Sequence, residues 1–115
     1  MNHIRADAPS LGDFEQLVLF ALVRLGPDAY GASIRREIEA RTKRTLSISA
    51  VYVTLERLED KGLLHSHVGE PTPQRGGKRK RHFEVSPGGR RALQAAYRSI
   101  RRMADGLDDL LGEPA

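Results

Sequence analysis

The spacing of apolar residues changes at Gly62 and again at Ser86, which limits the chain to a small number of folds. Before Gly62, apolar residues recur three or four positions apart, which is the helical period. Between the two positions lie two short strand-like stretches, and after Ser86 the helical period returns. The pattern therefore predicts the order helix, helix, helix, strand, strand, helix.

The first predicted helix, Asp13 to Leu25, is apolar on more than one side and ends at Gly26-Pro27. Leu19, Phe20 and Val23 lie off its main apolar stripe and are themselves apolar. A helix that is apolar nearly all round must be covered on several sides. We therefore expect these three residues to contact a second subunit.

Two further helices are predicted before Gly62. The second runs from Tyr30-Gly31 to about Arg41, and the third runs from an N-cap at Ser47 to Lys61. Gly62 then supplies the C-terminal stop. The buried stripe of the third helix is expected to consist of Ile48, Val51, Leu55 and Leu58.

The segment after Gly62 predicts a β-hairpin with a long loop. Leu63 to Val68 and His82 to Val85 are expected to be its strands. The loop between them, Gly69 to Arg81, is rich in glycine, proline and basic residues. We refer to this predicted hairpin as the wing.

A final helix is predicted to begin at Ser86-Pro87 and to run to about Leu111. Its apolar residues alternate spacings of three and four, which is the heptad pattern by which helices pair. We therefore expect a dimer seam formed by Leu93, Ala96, Ile100, Met103, Leu107 and Leu110.

Together these elements predict a mainly α protein with a small β-hairpin, a winged helix-turn-helix. Three helices and a two-stranded wing would form a DNA-binding domain of residues 11–86, after a flexible leader at residues 1–10. Residues 87–115 would form a C-terminal dimerisation helix.

Composition excludes several classes of protein. The chain has no cysteine, which rules out disulfides, thiolate metal sites and cysteine nucleophiles. The longest apolar run, Leu17 to Val23, is too short to cross a bilayer, and the N-terminus lacks the plan of a signal peptide. We expect a soluble cytoplasmic protein without a membrane partner.

Basic residues are concentrated in one part of the chain. Residues 61–104 hold eleven Lys or Arg and two acidic residues, a net charge of +9. The remainder holds eight basic and thirteen acidic residues, a net charge of −5. This segregation favours a polyanionic partner, without by itself distinguishing DNA, RNA and an acidic membrane.

The third helix is the predicted recognition helix, because the second helix of a helix-turn-helix enters the major groove N-terminus first. The buried stripe leaves Ser49, Tyr52, Val53 and Glu56 toward the groove. A half-buried core position, with its hydroxyl in water, is the alternative for Tyr52. The DNA-binding residues predicted on this helix are Ser47, Ser49, Tyr52 and Val53.

The wing loop carries five cations beside two glycines that let its backbone lie close to a surface. Lys and Arg here would contact phosphates, and an arginine could enter the minor groove. A flexible hairpin with solvated charges is the alternative. The DNA-binding residues predicted in the wing are Arg75, Lys78, Arg79, Lys80 and Arg81.

No cofactor site and no catalytic site is predicted. His65 and His67 alternate on one strand face, a spacing that can ligate a metal. With no cysteine and no nearby carboxylate expected, a structural or surface role is favoured. Ser, His and Asp residues are not organised into a catalytic set, so the chain is not expected to be an enzyme.

Several motifs, in order, resemble the PadR family of bacterial transcription regulators between about Leu11 and Leu93. The first helix ending in Gly26-Pro27 and followed by Tyr30-Gly31 is similar to the family's opening helix. The wing ending, Gly77 to Phe83, is similar to the family's basic cluster and aromatic pair. The family's recognition-helix signature is similar to Tyr52, Leu55, Arg57, Leu58, Glu59, Gly62 and Leu63.

The resemblance implies a bacterial homodimer, built through the first and last helices, that represses transcription by binding double-stranded operator DNA. It implies that Tyr52 and the wing bases contact phosphates. The chain departs from the family at Ser49-Ala50-Val51-Tyr52-Val53, where Gly-Thr-Leu-Tyr-Pro is usual, so an altered base preference is expected. The short last helix places the chain with the family's compact branch.

Some members of the family sense small aromatic compounds through a tryptophan of the last helix, and this chain has no tryptophan. That pocket is not carried over, and any small-molecule effector stays unidentified. Sequence-specific repression at a palindromic operator is the leading hypothesis. The alternatives are a nonspecific architectural nucleic-acid binder and a winged-helix adaptor for protein interactions.

Overall fold

A computed structural model describes residues 11–69 and 80–112. The predicted leader at residues 1–10 and the wing residues Arg75, Lys78 and Arg79 lie outside this part of the chain. The elements are α1 Asp13–Leu25, a 3-10 turn Gly26–Asp28, β1 Ala29–Tyr30, α2 Gly31–Thr42, α3 Ile48–Asp60, β2 Leu64–Val68, β3 Arg81–Val85, α4 Pro87–Ala104 and α5 Asp108–Leu111.

The structure confirms the predicted winged helix-turn-helix and adds a third strand to its sheet. Strand β3 lies in the middle, antiparallel to β1 on one edge and to β2 on the other. Ala29 pairs with Phe83, and Leu64 pairs with Val85. The two-stranded prediction missed β1 because a two-residue strand has no alternation of polar and apolar residues to detect.

The core lies between α1, α2, α3 and the inner face of the sheet. Leu22, Ile34, Leu55 and Leu58 are almost fully buried, and Phe83 closes the core from the sheet. These side chains come from elements with helical or alternating apolar spacing, which is why the sequence pattern identified most of them.

Two residues predicted for the dimer interface belong to this core instead. Leu19 is 0% exposed and Leu93 is 6% exposed within the single chain. The prediction treated every apolar residue off the main stripe of the first helix as free for a partner. In fact α1 is covered by both α3 and α4 of its own chain, so Leu19 is already enclosed.

The last helix is shorter than predicted. Helix α4 ends at Ala104, and the chain leaves helical geometry at Asp105 and Gly106, where Gly106 has a φ of +82°. The expected continuous helix to Leu111 is therefore wrong. Leu107 and Leu110 lie beyond this break, so the predicted seam can extend no further than Met103 on α4.

An ion pair between a buried carboxylate and an exposed lysine joins α1 to the end of α3. Lys61 Nζ lies 2.9 Å from Glu15 Oε2, and the Gly12 N–H donates to Glu15 Oε1 at 2.9 Å. Burial tends to raise the pKa of Glu15, but the hydrogen bond from Gly12 and the Lys61 ammonium outweigh it and lower that pKa below its usual value. The carboxylate therefore stays ionised and fixes the first turn of α1.

The first turn of α4 lies directly against the turn between α3 and β2. Ser86 Oγ accepts from the Gly89 N–H at 3.0 Å and donates to the Gly62 carbonyl at 2.7 Å. A Cβ at Gly89 would overlap the carbonyl oxygen of Leu63. Glycine is thus required at Gly89 for close approach of two backbones.

We predict that Gly89→Ala lowers the free energy of unfolding by about 2–3 kcal/mol, because backbone rather than a flexible side chain must move to admit the methyl group. The matched control is Gly88→Ala in the same turn, where the nearest atom lies 3.7 Å from the added Cβ. Its higher helix propensity should leave stability unchanged or raise it by up to about 1 kcal/mol. Urea denaturation at one protein concentration compares the two, and equal losses would contradict the packing argument.

Candidate nucleic-acid interface

The N-terminus of α3 is fixed by the predicted cap. Ser47 Oγ accepts a hydrogen bond from the Ala50 N–H at 3.1 Å. The hydroxyl uses an oxygen lone pair for this bond, so its own proton is free to be donated to an external acceptor. Ser47 is exposed, and both of these properties suit a residue at a phosphate backbone.

The outward face of α3 agrees with the predicted one. Tyr52 is 41% exposed and Val53 is 52% exposed, and Ser49 and Glu56 are also exposed. Val51, Leu55 and Leu58 are fully buried, as their spacing predicted. The helix therefore presents a hydroxyl, a phenol, an isopropyl group and a carboxylate in succession, all of which can reach base edges or phosphates.

The predicted buried stripe was wrong at its first position. Ile48 is 37% exposed, whereas Thr54 is 4% exposed and takes a place in the stripe. Ile48 is the first residue of α3, and at a helix end helical periodicity alone overstates burial.

Tyr52 is packed against the domain on one side of its ring and exposed on the other. Its ring packs edge-on against Phe83, with centroids 6.3 Å apart, and its far end lies on the Cα of Gly31. A Cβ at Gly31 would overlap the Tyr52 hydroxyl. One side of the ring is therefore fixed by the protein, and the remaining surface is exposed.

Gly31 is a residue of this surface that the sequence analysis did not assign. Its backbone does not have a positive φ, so glycine is not required here by conformation. It is required because the first turn of α2 and the Tyr52 ring occupy adjacent space. The Tyr30-Gly31 pair at a helix start was visible in the sequence, but its contact partner was not.

The described base of the wing carries two of the five predicted cations, Lys80 and Arg81. Arg81 Nη1 donates to Ser66 Oγ at 2.7 Å, and Ser66 Oγ donates to Glu59 Oε2 at 2.9 Å. Lys80 Nζ lies 4.1 Å from the centre of the Tyr30 ring. Both side chains are exposed and are held against the body of the domain.

The histidines of β2 have different neighbours from those expected. His65 Nε2 lies 3.3 Å from Glu84 Oε1, so a carboxylate is nearby after all. The His67 ring stacks on His82, with centroids 5.4 Å apart. Within residues 11–69 and 80–112, no three His, Cys, Asp or Glu side chains are grouped as a metal site would require.

No helix in the described part of the chain is both long and apolar enough to cross a membrane. Of the polyanions that the charge segregation left open, B-form DNA is the one whose major groove admits a helix such as α3.

Comparison with known proteins gives a family and a fold. The family model described as the transcriptional regulator PadR-like family matches residues 18–95. No curated protein matches the chain significantly.

Several solved structures of transcription regulators are similar in fold. A PadR family transcription regulator from hypervirulent Clostridium difficile R20291 is 24% identical, with 88% of this chain and 100% of that chain covered and a TM-score of 0.67. A PadR family regulator from Eggerthella lenta is 25% identical, with coverages of 86% and 84% and a TM-score of 0.64. A PadR-like regulator from Bacillus cereus is 15% identical, with coverages of 88% and 93% and a TM-score of 0.69. At such low sequence identity, these structural similarities establish the fold and nothing more.

We predict that the effects of Gly31→Ala and Tyr52→Ala on the free energy of unfolding are coupled. Gly31→Ala alone should lower the free energy of unfolding by about 1–3 kcal/mol, because the methyl group expels the Tyr52 ring from its contact with Phe83. In a Tyr52→Ala background the same change should cost less than about 0.5 kcal/mol. A double-mutant cycle by denaturant unfolding measures the coupling. Additive losses would show that the ring does not occupy this space.

Proposed function

Since the chain belongs to the PadR-like family of transcriptional regulators, and is thus a DNA-binding regulator and not an enzyme, we propose that it represses transcription as a dimer on a palindromic operator. The observation that carries the proposal is that recognition helix and wing meet at one point. Tyr52 of α3 lies on Gly31, and Lys80 of the wing lies on the adjacent Tyr30. Helix α3, which would enter the major groove, and Lys80, which would contact the DNA backbone, are thus held at adjacent residues.

In the proposed complex the N-terminal half of α3 enters the major groove. Ser47 and Tyr52 donate hydrogen bonds to phosphates at the groove edge, and Ser49 is placed to donate to a base or a phosphate. Val53 contacts a thymine methyl group, and Glu56 accepts from the amino group of cytosine. The side chains of Ser49 and Val53 are short, so specificity requires α3 to approach the bases closely.

The wing supplies most of the affinity in this proposal. Arg75, Lys78, Arg79, Lys80 and Arg81 replace counterions along the phosphate backbone, an effect that does not depend on base sequence. Because Arg81 is oriented by Ser66, its guanidinium is preset at the strand end and does not have to be ordered on binding.

The second subunit is proposed to pack on a surface that we call the α1–α4 face. Its exposed apolar residues include Phe20 at 36% and Val23 at 39% on α1, and Ile100 at 55% and Met103 at 80% on α4. Ala96 lies among them and is partly buried. Tyr97, which was not among the predicted interface residues, packs edge-on against Phe20 at 6.1 Å and joins the two helices into one surface.

This face suits a dimer because it exposes apolar side chains from two helices that pack against each other. Residues 11–86 then act as the DNA-binding domain and residues 87–104 as the pairing helix. A two-fold dimer of this kind places two recognition helices about one DNA turn, roughly 34 Å, or a multiple of it apart. That geometry is the reason for expecting a palindrome.

We predict sequence-specific binding to the region upstream of the chain's own gene. Fluorescence anisotropy at about 0.15 M salt should give at least about 1000-fold tighter binding to a footprinted upstream duplex than to a scrambled duplex. Neutralising Lys78, Arg79, Lys80 and Arg81 together should weaken both complexes and reduce the salt slope by about 0.9 for each phosphate that is no longer neutralised. Repression predicts that deleting the gene raises transcription from that promoter.

The same measurement separates the alternatives. Equal affinity for both duplexes would indicate a nonspecific architectural binder, in which Val53→Ala should also have no effect. No affinity for either duplex would indicate a protein-interaction adaptor.

We also predict that Ile100→Glu and Met103→Glu together convert the dimer to a monomer, because two carboxylates would be buried without partners. Light scattering after size-exclusion chromatography gives the mass. Gln94→Glu and Ala95→Glu together are the matched control, since they add the same two charges to exposed positions of the same helix, about 120° and 140° away from Ile100. A wild-type monomer at concentrations that bind DNA, or dissociation by the control alone, would place the interface elsewhere.

A further inference from the structure

Two cations from different elements converge on Tyr30. Arg36 Nη2, from the second turn of α2, donates to the Tyr30 hydroxyl at 3.1 Å, and its guanidinium carbon lies 5.9 Å from the ring centre. Lys80 Nζ, from the base of the wing, lies 4.1 Å from the same centre. Neither Arg36 nor Tyr30 is among the DNA-binding residues predicted from the sequence.

The ring that collects these cations is itself fixed in place. The Tyr30 N–H donates to Ser33 Oγ at 3.0 Å, and Ser33 Oγ donates to the Tyr30 carbonyl at 2.9 Å. Tyr30 also pairs with His82 across β1 and β3, and the two rings pack edge-on at 6.2 Å. Backbone pairing and a local cap therefore hold the phenol where α2 and the wing meet.

The electrostatics of this cluster are those of an anion site. In the described residues, the ion pairs engage Arg41, Arg44, Lys61 and His65, and none reaches Arg36 or Lys80. The hydrogen bond from Arg36 and the charge of Lys80 lower the pKa of Tyr30. The phenol oxygen accepts from Arg36, so its own proton can be donated outward, beside two exposed cations.

We propose that Tyr30, Arg36 and Lys80 bind one backbone phosphate of DNA and so form a phosphate anchor between the helix-turn-helix and the wing. The proposal rests on the DNA-binding function proposed above and adds a site to it. A phosphate offers several acceptor oxygens, which match the Tyr30 hydroxyl, the remaining N–H groups of Arg36 and the ammonium of Lys80.

The anchor also positions the recognition helix. Tyr30 is followed directly by Gly31, on which the Tyr52 ring lies, and His82 is followed by Phe83, against which the same ring packs. A phosphate held at Tyr30 therefore fixes the distance between the DNA backbone and the face of α3. Phosphate contacts set register in this way without carrying sequence information.

The experiment compares Arg36→Gln and Tyr30→Phe with Arg41→Gln, using the full chain, the upstream duplex and the scrambled duplex. Arg41 is on the same helix but pairs with Glu37 at 2.6 Å, so it is the matched loss of one guanidinium. Tyr30→Phe keeps the ring and its packing and removes only the hydroxyl. Thermal unfolding verifies that each variant is folded.

Arg36→Gln should weaken binding to both duplexes by about 10-fold and reduce the salt slope by about 0.9. Tyr30→Phe should weaken binding by about 3-fold to 10-fold with a smaller change in slope. Arg41→Gln should change affinity less than about 2-fold. The loss of affinity on the upstream duplex should be at least as large as on the scrambled duplex, because the anchor reads no bases itself but holds α3 at the groove.

A scan of the upstream duplex with single neutral methylphosphonates tests the contact itself. One position in each half-site should weaken binding by the wild type and have little further effect on Arg36→Gln. The anchor is overturned if Arg36→Gln behaves like Arg41→Gln on both duplexes, or if every methylphosphonate adds its full effect to that of Arg36→Gln. Equal wild-type affinity for both duplexes would overturn specific operator binding. The anchor could still be tested in that case, by comparing the salt slope of Arg36→Gln with those of the wild type and Arg41→Gln. Binding to neither duplex would overturn both proposals.

Discussion

The pairing of β3 on both of its edges is the interaction on which the rest of the structure depends. On one edge β3 binds β2 and forms the wing, and on the other it binds the two residues that lead into α2. Phe83 from the same strand enters the core and meets Tyr52, while His82 meets Tyr30. Wing, helix-turn-helix and core are therefore tied to one strand, and their relative positions are set without a separate interface.

Local periodicity predicted most of the fold, because each helix of this domain has one buried face and distinct ends. Ser47 was predicted as an N-cap and Ser86-Pro87 as the start of a helix, and both serines accept the backbone hydrogen bond that a cap requires. Failures occurred where tertiary context overrides the local pattern. Strand β1 is too short to have a pattern, Leu19 is enclosed by its own chain, and Gly106 ends the seam before Leu107.

The candidate site divides in the same way. The outward face of α3 follows from its buried stripe, so Tyr52 and Val53 could be placed from spacing alone. The support beneath that face could not, because it joins residues far apart in sequence: Tyr52 with Gly31, and Lys80 with Tyr30. A single sequence gives little indication of such contacts, and here the only indication is the Tyr30-Gly31 pair at the start of α2. Their geometry had to come from the folded chain.

These supports matter because two of the side chains proposed to contact bases are short. Ser49 and Val53 extend only a few atoms from α3, so a small displacement of the helix would remove their contacts with a groove floor. A long arginine could compensate for such a displacement, but none lies on this part of α3. Close approach must therefore be imposed by the frame: Tyr52 held between Gly31 and Phe83, and the DNA backbone held at Tyr30 by Arg36 and Lys80. The wing and the recognition helix therefore do not bind DNA independently, since the phosphate bound at the base of the wing determines how deeply α3 can enter the groove.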